Sequence, residues 1–228
     1  VNTADLLNVI AGEAEGTALA PANINVIPMT DVVINKDVIS ALGEKKALTV
    51  TQDINIVGTK EGLVVKNVNF GEKTATVTEG NVTFQNATLQ NLIVKKGASV
   101  EVNKGFSNGV SIKNEGTLKI NNKTDLGAPQ KTTFGVIENL GVLNIETPLK
   151  ATTVYNGTVE EVLYANVVTS AEINASANLE ATVENYGKFN VDKSISIDVL
   201  NNKEVTDAND NSKAGEVEIA ANYMLKTA

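Results

Sequence analysis

Over most of the chain apolar and polar residues alternate one by one, the period of an extended strand with one covered face. The alternation comes in short bursts, broken by Asn and Gly. Three segments align with one another: Ile112-Lys113-Asn114-Glu115-Gly116-Thr117-Leu118-Lys119-Ile120, Ile137-Glu138-Asn139-Leu140-Gly141-Val142-Leu143-Asn144-Ile145 and Val183-Glu184-Asn185-Tyr186-Gly187-Lys188-Phe189-Asn190-Val191. Each reads apolar-x-Asn-x-Gly-x-apolar-x-apolar. Shorter copies stand at Gly80-Asn81-Val82-Thr83-Phe84 and Gly215-Glu216-Val217-Glu218-Ile219, with looser ones around Gly62, Gly97 and Gly157. From Gly80 to Gly215 the unit returns every 22 residues or so, on the order expected of a solenoid or array, and it returns with strand rather than helical period.

Within one unit Ile112, Asn114, Gly116, Leu118 and Ile120 share parity and point to one face of an extended chain. Lys113, Glu115, Thr117 and Lys119 take the other, solvated face. An inward Asn two residues before a Gly breaks the rules for a strand centre, where both residues are depleted. It makes sense if successive copies stack in register, so that each amide bonds the next and no polar group is stranded. Asn114, Gly116, Asn139, Gly141, Asn185 and Gly187 are therefore predicted structural residues, an asparagine ladder at the corner of a parallel β-helix. Ordinary hairpins would place Asn and Gly side by side and would not repeat one sequence.

The repeat style resembles right-handed parallel β-helices of the pectin-lyase-like class, especially extracellular bacterial surface proteins of adhesin type, over residues 48–228. That resemblance implies an all-β, right-handed parallel β-helix with a short N-terminal capping helix. Asp37-Val38-Ile39-Ser40-Ala41-Leu42-Gly43 fits the cap, with Asp37 as N-cap and Gly43 as stop. Residues 37–228 are assigned to the solenoid and 1–36 to an N-terminal extension. In that extension Thr3 caps a second short helix, residues 11–28 read as loop, and Val32-Val33-Ile34 is strand-like. Stacked at about 4.8 Å, eight or nine coils make a rod roughly 40 Å long. The resemblance also implies an extracellular or cell-surface location, and glycans or surface proteins as partners.

Composition then narrows the chemistry. The 228 residues contain no Cys, His or Trp, and all 19 basic residues are lysines. Disulfides, thiolate nucleophiles, histidine-based triads and arginine clamps are excluded. A pI near 4.7 and 4% aromatic content argue against nucleic-acid binding. No apolar run approaches the roughly 18 residues of a membrane-spanning helix. Val1-Asn2-Thr3-Ala4-Asp5 has no positive segment leading into an apolar run, the expectation for a cytosolic or a mature chain.

Catalysis is the sharper hypothesis, since β-helix enzymes cleave polysaccharides. Lyases of the class commonly use Arg or Lys with calcium and hydrolases use clustered Asp. Here Glu160 and Glu161 fall on opposite faces of a strand, and Asp192, Asp198, Asp207 and Asp210 are scattered. The reading is a non-catalytic, adhesin-like binding or structural module; the alternative is a carbohydrate-active enzyme with carboxylates assembled between coils. Among Tyr155, Tyr164, Tyr186 and Tyr223, Tyr186 has outward parity between Asn185 and Gly187 and is the candidate ligand-binding platform. Asp207, Asn209, Asn211 and Glu218 have the 1, 3, 5, 12 spacing of a calcium loop. Ser212 replaces the turn glycine, Ala214 the usual branched apolar residue, and no helices flank it, so calcium is the only cofactor considered and an inserted polar loop is the plainer reading. Thr49-Val50-Thr51 and Thr74-Ala75-Thr76-Val77-Thr78 do not recur on successive coils, which argues against an ice-matching lattice.

Overall fold

The computed structural model describes residues 23–26, 33–42, 47–105, 109–162, 165–169, 171–206 and 212–228. Val, Ile, Leu and Phe at alternate positions give strands whose inward side chains have only one place to be buried, above and below their equivalents on neighbouring turns. On the first face Ile34, Ile56, Val77, Val94, Asn114, Asn139, Asn156, Asn185 and Asn202 pair one above the next in parallel register. Those nine rungs make a parallel β-helix about 40 Å long at ordinary strand spacing. On the second face Leu118, Leu143, Ile173 and Phe189 form one inward column, and Ile120, Ile145, Ala175 and Val191 another. All eight are buried, and apart from the small Ala175 each is worth roughly 1.5–3 kcal/mol of transfer energy. In the lower rungs Phe70 and Phe84 meet edge to face, 6.0 Å between centroids.

A helix, Lys36–Leu42, follows the strand Val33–Ile34. Val38 inserts into the core and Ile39 packs against it. Its N-cap is Asn35 rather than Asp37: the Asn35 Oδ1 accepts from the Asp37 and Val38 backbone amides at 3.0 and 3.1 Å. Asp37 instead sits in the first turn, where its charge favours the helix dipole. Gly43 and Thr3 lie outside the described residues. Asn23–Val26, expected as loop, is a strand paired in parallel with Ala47–Val50. Together with Val33–Ile34 it places described parts of the N-terminal segment on the same stack as the rod.

The corner column changes character midway. Ile34, Ile56, Val77 and Val94 fill it below; from Asn114 upward it is carboxamide. Asn114 Nδ2 donates to Asn139 Oδ1 at 2.7 Å, Asn139 to Asn156 at 2.9 Å, Asn156 to Asn185 at 2.7 Å and Asn185 to Asn202 at 2.7 Å. Each of the first four Nδ2 groups also bonds a backbone carbonyl at the start of the next rung's second-face strand: Val142, Glu172, Lys188 and Glu216. Asn114, Asn139, Asn156 and Asn185 are completely buried, so both amide hydrogens are used where water cannot reach. A shorter ladder on the outer surface of the second face links Asn144, Asn174 and Asn190 at 2.9 and 2.8 Å.

Two rungs in the ladder were not apparent from the repeat. Asn139 to Asn156 and Asn185 to Asn202 are 17 residues apart, whereas Asn114 to Asn139 is 25 and Asn156 to Asn185 is 29. Seventeen residues is the closest spacing in this ladder, and the 22-residue average mixes it with insertions. The corner glycines serve close approach: a Cβ on Gly141 would be driven into the Gly116 carbonyl oxygen, and one on Gly187 into that of Ala171. Gly157 is different, with φ near +85° at the start of an inserted hairpin.

The ladder is directional, and its lower end already strands one acceptor, Asn114 Oδ1. Asn114→Val removes that acceptor and strands Asn139 Oδ1 in its place, so the number of unpaired oxygens stays constant. Asn139→Val leaves Asn114 Oδ1 stranded and adds Asn156 Oδ1 and an amide hydrogen of Asn114. Denaturant unfolding is expected to show a loss of roughly 3 kcal/mol for Asn139→Val against roughly 1 kcal/mol for Asn114→Val; equal losses would contradict a connected ladder.

Candidate functional site

Two antiparallel hairpins interrupt the ladder corner. Thr158–Val162 pairs with Ala165–Thr169 between Asn156 and Ala171, and Glu204–Thr206 pairs with Ser212–Ala214 between Asn202 and Gly215. After each, the chain re-enters the second face in register: Lys188 N donates to Ala171 O at 2.8 Å, and Glu216 N to Gly187 O at 2.8 Å. The rung between them crosses the same corner with one residue, Tyr186. Its neighbours on both sides carry insertions, so the shorter turn lies at the bottom of a recess. Ala165–Thr169 and Glu204–Thr206 approach one another at this corner.

The recess has a volume of about 420 Å³. Tyr186, Glu172, Lys188 and Glu216 line it, with backbone from Gly141, Ala171 and Gly187. Tyr186 is half-buried, and its backbone amide donates to the Asn156 main-chain carbonyl at 2.8 Å, which fixes the main chain of the short turn to the rung below. Glu172, Lys188 and Glu216 are one outward column on successive rungs, an acid–base–acid series.

The charges are partly engaged. Lys188 Nζ meets Glu218 Oε2 at 2.8 Å; this hydrogen bond raises the Lys188 pKa, reinforced by the charges of Glu218, Glu216 and Glu172. Glu218 is correspondingly lowered by Lys188. Glu172 Oε1 accepts from Asn190 Nδ2 at 3.2 Å. Glu216 has no ion-pair partner among the described residues. Beside the recess Glu184 accepts from Lys203 at 2.6 Å and from Asn201 at 2.8 Å. Together they hold its carboxyl below the ordinary range. The arrangement offers one ring, one ammonium and two carboxylates around an open hollow, a set suited to hydroxyl-rich or mixed polar ligands.

A second hollow at the same corner of the lower rungs is larger, about 740 Å³, and is lined by Lys60, Glu79, Asn81 and Lys96. Those side chains are exposed and no aromatic ring joins them. Asn81 Nδ2 there donates to the Lys60 carbonyl at 2.8 Å.

Of the calcium-loop residues, Asp207, Asn209 and Asn211 lie outside the described residues. Glu218 belongs to the strand Glu216–Ile219, where it holds Lys188. The residues flanking 207–211 are strands of a hairpin, not helices. No group of three Asp or Glu able to hold a metal occurs among the described residues. Glu160 and Glu161 both lie on the strand Thr158–Val162, and Asp192 and Asp198 are separately exposed. Tyr155 and Tyr223 are exposed on other surfaces, and Tyr164 is outside the described residues. The partners of Tyr186 in the recess were missed by sequence reasoning. Glu172 and Glu216 sit beyond the two hairpins, and the only signal was position: each follows the small residue that closes a corner.

Because its folded-state pKa is depressed, Glu184 contributes stability that is complete above the ordinary glutamate value of about 4.3 and is lost as pH falls through the lower folded value. Thermal melts from pH 6 to 3 are expected to decline less steeply for Glu184→Gln than for the parent chain. An identical slope would remove the Glu184–Lys203 pair from the stability balance.

Comparison of the chain with protein-family models, with curated proteins and with solved structures finds no match to any of them.

Proposed function

We propose that this chain is a non-catalytic binding module of adhesin type, displayed at or shed from a cell surface, that receives a glycan in the recess around Tyr186. The observation that carries the reading is the recess itself: an aromatic ring at the one short corner between two hairpins, surrounded by hydrogen-bonding groups. A half-buried ring offers a flat apolar surface to a sugar face, and carboxylates, ammonium and backbone bond the hydroxyls around it. The rod supports this by rigidity. Tyr186 is anchored through Asn156, which is locked by Asn139 and Asn185, so binding requires little ordering of the protein. The repeat style of pectin-lyase-like β-helices, a class rich in carbohydrate-directed proteins, agrees with a sugar ligand.

A glycan array is the direct test, followed by titration of the best ligand. Tyr186→Ala is expected to weaken binding about tenfold or more, equivalent to about 1.4 kcal/mol, with an unchanged melting temperature. Binding that survives the substitution moves the site elsewhere. Release of new reducing or unsaturated ends from a bound polysaccharide would replace this reading with the enzymatic one.

A further inference from the structure

The recess around Tyr186 holds more negative charge than its one lysine balances. Glu172, Lys188 and Glu216 stand on successive rungs, roughly 4.8 Å apart, and Glu218 reaches Lys188 from the neighbouring column at 2.8 Å. Three carboxylates thus share one ammonium within roughly 10 Å, about one Debye length at 0.1 M salt. The raised pKa of Lys188 has the same origin: its bond to Glu218, then the charges of Glu218, Glu216 and Glu172. Among the described residues neither Glu172 nor Glu216 forms an ion pair. Glu172 accepts from the neutral Asn190 amide at 3.2 Å, which steadies the carboxylate and leaves its charge uncompensated. The pair beside the recess, Lys203 with Glu184 at 2.6 Å, neutralises itself.

Acceptors are in excess as well. In the outer ladder Asn190 donates to Asn174 and Asn174 to Asn144, so its upper end is an acceptor, Asn190 Oδ1, buried without a donor among the described residues. Asn190 lines a smaller hollow of about 220 Å³ that shares Lys188 with the recess. Glu218 and Asp192 line it too, adding a fourth carboxylate to the same side of the rod.

This charge balance discriminates among sugars. A uronate or sulfated sugar enters against the field, with no arginine in the chain to clamp it and with Lys188 already held by Glu218. A neutral sugar leaves two carboxylates unused. An ammonium on the ligand meets charge-assisted acceptors and an aromatic ring in one hollow.

Taking the recess as the glycan site proposed above, we propose that its ligand is a basic oligosaccharide whose amino sugars carry free ammonium groups. The apolar face of one sugar rests on Tyr186, and Glu172 and Glu216 supply the counter-charge. Specificity then comes from charge and on-rate as much as from shape.

Three probes separate the possibilities by calorimetry on the whole chain: a glucosamine tetramer, its fully N-acetylated counterpart and a galacturonate tetramer. At about pH 5.5, above the ordinary glutamate value, and low salt, the glucosamine tetramer is expected to bind about tenfold or more tighter than the acetylated one, with galacturonate weakest. Adding about 0.5 M salt narrows the difference. The double variant Glu172→Gln/Glu216→Gln keeps the shape and removes both charges. It is expected to bring the glucosamine tetramer down to the acetylated level without lowering the melting temperature. Should the double variant lose its fold, Glu216→Gln alone, at an exposed side chain, is the second test, with a loss of about threefold expected. Equal or tighter binding of the acetylated or acidic tetramer, or a preference that survives the glutamine variants, overturns the assignment of ligand class. If that binding is still lost in Tyr186→Ala, the recess stands as a glycan site with another specificity. A glycan array hit without free amines, when all three tetramers fail, has the same meaning. Failure of the tetramers and of the array together removes both readings.

Discussion

A buried carboxamide is costly unless its hydrogens and its oxygen find partners, and this rod meets that condition by repetition at each buried rung above Asn114, whose own oxygen stays unpaired at the foot of the ladder. Each asparagine in the corner column from Asn114 to Asn185 gives one hydrogen to the next asparagine and one to a backbone carbonyl of the next rung. The bond network therefore fixes the register of the first face, the turn across the corner and the start of the second face together. Slipping one residue would turn the whole apolar set outward and leave five amides unmatched. Aliphatic columns supply most of the burial energy, yet they do not specify register with the same sharpness, because one aliphatic residue replaces another at modest cost.

The same network explains how a binding surface arises on an otherwise uniform rod. Surface ion pairs such as Lys188 with Glu218 and Lys203 with Glu184 add little stability, and their geometry is derivative of the strands. What distinguishes the Tyr186 corner is length: one residue where its neighbours have a hairpin. The recess is made by what the adjacent rungs add, and its floor is made rigid by what the ladder holds.

Strand parity and the Asn-x-Gly motif made the parallel rod, the inward asparagines and the outward Tyr186 legible before any coordinates. The parts that were hidden share a physical reason. Asn156 and Asn202 belong to the ladder, but the hairpins separate them from the small residues that close their corners, so the motif is split. Gly157, counted as a repeat glycine, is a turn residue with positive φ, while Ala171 does the corner's work. Asn35 outcompetes Asp37 as N-cap because its carbonyl oxygen reaches two free amides, a choice of one register position that composition does not decide. Glu172, Lys188 and Glu216 meet only because rungs stack, and no local pattern announces a neighbour 16 or 28 residues away.

The two hairpins enter and leave at points separated by a single rung step, and the chain resumes its path as if nothing had been inserted. Variation in that interval is thus decoupled from the scaffold: its length and chemistry can drift while the surrounding amides keep the architecture intact. This corner is the place on the rod where one loop can be exchanged for another over an unchanging framework, the division of labour by which rigid scaffolds carry binding loops.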